Sequence, residues 1–234
     1  MGAEWIALRS RGATIVALAV LALLGWSYLL AGAGMGPMAG MGMSPGWWLI
    51  FAMWSAMMVA MMVPSAAPAI LLYARVYRHS GQDSPHTTAF LLGYLACWTG
   101  FSAAAAGVHL AIEGDALADP LAVAVLLIAA GIYQLSPLKN ACLARCRSPT
   151  EFLTRHFRPG ACGALRLGLL HGAYCVGCCW PLMALLFVGG VMNLLWVAGL
   201  TLLVAAEKLL PGGQWIARLA GLAMIGWGVV LLVR

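Results

Sequence analysis

A histidine and three cysteines crowd the run His171-Gly172-Ala173-Tyr174-Cys175-Val176-Gly177-Cys178-Cys179-Trp180-Pro181. On a helix advancing about 100° per residue, His171, Cys175 and Cys178 fall within an arc of roughly 60°, with Cys179 at its border. One imidazole and two or three thiols therefore address a single point. Such donors suit a soft metal, Cu(I) first and zinc second. The flanking stretches, Leu167 to Leu170 and Leu182 to Val188, are apolar enough to lie in lipid. A polar side chain without a partner is costly there, and a bound metal supplies the partner.

Other sulfurs extend the pattern. Cys142 and Cys146 become neighbours one turn apart if a helix continues past Pro137, and they stand among Lys139, Arg145 and Arg147. Nearby positive charge favours the thiolate, the form that binds metal or attacks a disulfide. Cys162, after Pro159-Gly160, is an extra loop thiol, whereas the solitary Cys97 reads as a small apolar packing residue. Met53, Met57 and Met61 recur at helical spacing, with Met58 and Met62 on nearly the opposite face. Met57, Met61 and Met62 are candidate thioether ligands, although a methionine stripe also serves as plain core. Four more methionines, Met35, Met38, Met41 and Met43, lie in a loop over 32–46 whose glycines and prolines forbid a stable helix. Glu207 is a candidate to orient the imidazole from behind, but the expected arrangement is a local ion pair with Lys208.

These groups must be positioned by a lipid-embedded bundle. Of 234 residues, 63% are hydrophobic and only 9% charged, far below the charge content of soluble domains. The composition predicts an all-α polytopic membrane protein, one domain over 1–234, with membrane lipid as its main surroundings. Apolar runs predict about seven spans, over 13–31, 47–73, 88–111, 120–138, 165–188, 190–209 and 214–233. The boundary at Gly189-Gly190 is the only break in a run too long for one crossing. Pro64 and Pro68 should weaken the second span, and Pro181 should remove the hydrogen bond to the Gly177 carbonyl and bend the helix at the thiols. Arg9, Arg11, Arg75, Arg78, the cations from Lys139 to Arg166, Lys208 and Arg218 then share one side, with Arg234 alone on the other. By the positive-inside rule the N-terminus is cytoplasmic, in a bacterial inner membrane. The net charge of +6 is thereby read as topology, and no basic patch interleaved with aromatics points to nucleic acid.

The residues Met61-Met62-Val63-Pro64-Ser65, the stretch from Tyr133 through Ser136-Pro137-Leu138-Lys139 to Cys142, Cys146 and Pro149, the run His171 to Trp180, and Glu207-Lys208 together resemble one family. It is the uncharacterised bacterial family described as predicted metal-binding integral membrane proteins. The likeness covers nearly all of the chain after the first span. It implies a helical bundle with a metal site and brings no reaction or substrate with it.

Three functions follow. The first is Cu(I) handling, as a carrier or as an assembly factor for a metalloenzyme. The second is thiol exchange, with Cys142/Cys146 and Cys175/Cys178 passing electrons to a disulfide or quinone. The third is an accessory subunit of a larger membrane complex whose helices are tied together by zinc or copper.

Overall fold

The structure, a computed structural model, describes residues 2–32, 46–79, 85–112, 119–190 and 193–233. The methionine-rich loop, Glu113 and Asp115 lie outside them. All regular structure among the described residues is helical: α1 (Gly2–Leu30), α2 (Trp47–His79), α3 (Pro85–Ala111), α4 (Pro120–Leu135), α5 (Pro137–Arg147), α6 (Pro149–His156), α7 (Gly160–Ala184), α8 (Leu186–Gly189), α9 (Leu194–Leu209) and α10 (Gly213–Val233).

Five helical stretches are long and apolar enough to cross a membrane: Gly12–Leu30, Trp47–Val76, Pro85–Ala111, Gly160–Gly189 and Gly213–Val233. The remaining two expected spans differ for physical reasons. Pro137 drives Ser136 out of the helical region, to φ −71° and ψ 148°, so the fourth span breaks there and α5 leaves α4 at 63°. Ser136 accepts from the Lys139 backbone N–H at 3.2 Å, and Pro137 occupies the first turn, so the break is also a capped start. Counted as one span, the bent pair makes six. The helix α9 has 16 residues, about 24 Å of rise, short of a hydrocarbon core of about 30 Å. Upstream of it, Gly190 adopts φ 83° and ends the preceding helix at the break read from the glycine pair.

The centre of the molecule is a close pairing of α3 with α7. Ala164, Gly168 and Gly172 repeat every fourth residue on α7, and Gly93 faces them from α3. A Cβ on Gly168 would lie 2.0 Å from the Phe90 carbonyl oxygen, and one on Gly93 would lie 2.2 Å from that of Leu165. Small residues at this spacing let two backbones touch. The helix α2 packs on α3 and contributes the fully buried Met53, Met57, Met58, Met61 and Met62. The helices α5 and α9 close the remaining sides near the thiols, while α10 lies against α4 through Gly221, Gly228 and Gly131.

Both helix-interior prolines of α2 and the one in α7 are accommodated without a break. Pro181 offers no N–H to the Gly177 carbonyl, and the Tyr133 hydroxyl of α4 donates to that oxygen instead. On α2 the Met62 carbonyl accepts from Ser65 Oγ at 2.9 Å and from the Tyr94 hydroxyl at 3.1 Å.

Candidate metal centre

Cys175, Cys178 and Cys179 are all buried, on the face of α7 directed at α2, α5 and α9. Within α7 the thiols of Cys178 and Cys179 donate to the Cys175 carbonyl at 3.1 and 3.0 Å. Back-bonding of this kind satisfies a buried polar group when no other partner is present. The Cys175 sulfur faces outward from the helix instead, 3.3 Å from the Tyr94 hydroxyl of α3 and 2.8 Å from Lys208 Nζ of α9.

Lys208 is the organising residue that the sequence reading missed. Its ammonium, on a residue only 7% exposed, also reaches Ser65 Oγ at 3.3 Å and Met62 Sδ at 3.8 Å. An ammonium carries three N–H donors, and three partners surround it. Met62 in turn meets the Cys179 sulfur at 4.0 Å. A thioether, two thiols, a hydroxyl and an ammonium from three helices thus form one contiguous cluster.

The expected Glu207–Lys208 ion pair does not form, because successive residues on a helix point about 100° apart. Glu207 turns to the α4–α5 elbow, 2.6 Å from Lys139 Nζ and 2.8 Å from Gln134 Nε2. All three side chains are buried, with Lys139 wholly so. A buried ion pair holds when its remaining donors and acceptors are filled, and Gln134 fills one of them. Glu207 accordingly serves the elbow, and its partners there do not include His171.

His171 sits in an aromatic box formed by Phe90, Tyr94 and Phe152, with ring centroids 6.0, 5.8 and 5.3 Å from its own. It is buried, and its Nδ1 has no hydrogen-bond partner. An orphaned buried ring nitrogen carries a desolvation cost of about 1–3 kcal/mol that a proton donor or a metal would remove.

Cys146 joins His171 and Cys175 in lining a cavity of about 160 Å³ between α2, α5, α7 and α9. Its thiol interacts with those of Cys175 and Cys178. Cys142, one turn earlier on α5, sits against Gly177, where a Cβ would come within 3.0 Å of its sulfur, and it interacts with Cys178. The two thiols of α5 therefore face α7 as their spacing implies, although a new helix and not a continued one presents them. Cys97 is not isolated: a Cβ on Gly172 would lie 3.3 Å from its sulfur, and it interacts with Cys175. Cys162 is exposed and stands apart. Met57 and Met61 are buried in the common core, and Met62 is the candidate methionine whose sulfur contacts the cluster.

Among the described residues, no three His, Cys, Asp or Glu side chains form a ready-made metal cage. The chemistry of the donor set is nonetheless that of a soft cation: sulfur predominates and the one carboxylate nearby is engaged elsewhere.

A family model, PpoB2, described as a copper chaperone, matches residues 51–231. No curated protein matches the chain, and no solved structure does.

Proposed function

The chain belongs to the PpoB2 copper chaperone family, and from that premise we propose that it is an integral membrane protein that holds Cu(I) at the α2–α5–α7 sulfur cluster and passes it to a metalloenzyme under assembly. Cys175 is the primary ligand. Cys146, Cys178 and Cys179 supply further thiolates, Met62 a thioether, and the free Nδ1 of His171 a nitrogen, with Cys142 beside them. Met57 and Met61 carry the methionine stripe outward along α2, and Glu207 acts from the elbow without touching the metal.

The observation that supports this most is the convergence of the Cys175 and Met62 sulfurs on one buried ammonium, with Cys179 against the Met62 sulfur. Soft donors gathered around a cation-sized position suit Cu(I), which accepts two or three sulfurs, better than zinc, which asks for a closed tetrahedron. Transient holding also suits a chaperone, whose cargo must leave.

The proposed setting is the bacterial inner membrane with the N-terminus inside. The five or six apolar stretches support insertion, and α9, although short, would complete the seven crossings if the bilayer thins around it.

The test is elemental analysis of protein purified from membranes under anaerobic, copper-replete conditions, beside Cys175→Ser/Cys178→Ser. Copper should be present in the parent and fall to background in the variant. Equal copper in both would remove this centre. A second reading, thiol exchange between Cys146 and Cys175, draws on their shared cavity. It requires a mass-tagged disulfide between them after mild oxidation.

A further inference from the structure

The cavity that exposes Cys175 and Cys146 is positively charged at its floor and at its mouth. Lys208 lies at the floor beside Cys175. Arg147, in the last turn of α5, stands at the mouth, where its guanidinium donates to the Leu210 carbonyl at 2.8 Å. Both residues line the cavity, and among the described residues no carboxylate does. Glu207, the nearest acid in sequence, is committed to Lys139 and Gln134. Beyond the buried Lys139, which Glu207 neutralises, residues 139–166 carry Arg145, Arg147, Arg155, Arg158 and Arg166 against the single acid Glu151, which is paired with Arg155 at 2.8 Å.

Such a cavity repels a bare monovalent cation and attracts an anion. Its ligands are nevertheless those of Cu(I). The two facts agree if the copper arrives already wrapped in negative charge. Resting on the copper reading above, we propose that the cavity receives Cu(I) as an anionic complex with a small carboxylate-bearing thiol, and that Arg147 docks the carboxylates of that carrier while its copper faces Cys175.

Transfer is then ligand exchange at constant oxidation state. Each Cu–S bond to the carrier that breaks is replaced by a Cu–S bond to Cys175 or to a second protein thiol. Each carrier thiolate leaves as its thiol, taking up the proton given up by the protein thiol that replaces it. Arg147 donates nothing to copper; it holds the carrier in register during the exchange, as a planar fork suited to carboxylates.

The experiment loads full-length protein in nanodiscs from two Cu(I) donors, the anionic glutathione complex and the cationic acetonitrile complex, following the thiolate-to-copper absorbance by stopped flow. Arg147→Gln should slow loading from the glutathione complex by about tenfold or more, and loading from the acetonitrile complex far less. Arg147→Lys should restore part of the rate, and in the parent the glutathione rate should fall steeply with ionic strength. The same slowing with both donors, no slowing with either, or a salt-independent glutathione rate overturns the proposal. So does slowing that appears only in nanodiscs containing anionic lipid, which would assign Arg147 to a headgroup. If Arg147→Gln passes this test as expected while Cys175→Ser keeps its copper, docking stands and the assigned ligands fall. A parent that takes copper from neither donor defeats both.

Discussion

Glu207 and Lys208 are adjacent in the chain yet serve different assemblies: one carboxylate oxygen lies 2.6 Å from Lys139, and the neighbouring ammonium lies 2.8 Å from the Cys175 sulfur. The last turn of α9 therefore joins the α4–α5 elbow to the thiols on α7. Whatever displaces Lys208 from Cys175 also pulls on the residue that latches the elbow.

The elbow latch should behave as a coupled pair. Removing one partner leaves an uncompensated buried charge, at a cost of about 3–5 kcal/mol. Lys139→Met and Glu207→Gln should each lower the thermal midpoint strongly, and the double variant should lie well above the sum of the two losses. Additive losses in detergent-solubilised protein would show that the two side chains do not act together.

Lys208→Met removes an ammonium from three partners while keeping most of the side-chain volume. Its loss strips donors from Cys175 and Ser65, so stability in the absence of copper should fall by about 1–3 kcal/mol. Reaction of Cys175 with a small membrane-permeant maleimide, measured in a background lacking the other cysteines, should differ several-fold from the parent, since the ammonium lies 2.8 Å from the reacting sulfur. An unchanged alkylation rate would mean that the ammonium leaves Cys175 in solution.

Tyr133→Phe tests how the helix tolerates Pro181. Without the hydroxyl the Gly177 carbonyl loses the donor that stands in for the missing Pro181 N–H, and the loss should be about 1–3 kcal/mol. Amide exchange should accelerate locally between Gly177 and Leu185. Uniform exchange along α7 would show that the carbonyl finds another partner.

Orientation is checked at Cys162, the exposed thiol at the start of α7. In a variant retaining that cysteine alone, an impermeant maleimide should fail on intact spheroplasts and label inverted vesicles. The reverse pattern would place residues 139–166 outside.

Much of this architecture is legible from residue types. The spacing of His171, Cys175 and Cys178 puts them on one buried face, and Pro181 by itself implies the orphaned Gly177 carbonyl that Tyr133 satisfies. Helix periodicity is a local property, and it transmits these facts intact. What it does not carry is the direction of a side chain across the bundle. Lys208 looked like an interfacial charge because its meeting with Cys175 depends on where α9 lands, 33 positions away in the chain. Cys97 looked solitary because its neighbour lies on α7. The elbow had a visible signal in Ser136-Pro137, but reading the two segments as one continuous helix hid the buried Lys139. Two residues of one turn, Glu207 and Lys208, were paired by proximity in sequence, a contact that helical geometry disfavours.

The glycine seam between α3 and α7 decides which parts of the molecule are free to yield. Gly93 and Gly168 bring main chain against main chain, so there is no layer of side chains to compress or slide, and Cys175, Cys178 and Cys179 ride on an effectively immovable rail. The proposed release of the metal then begins on the opposite bank, with the outward swing of α5 or α9, which meet the α7 thiols through the side-chain tips of Cys142, Cys146 and Lys208.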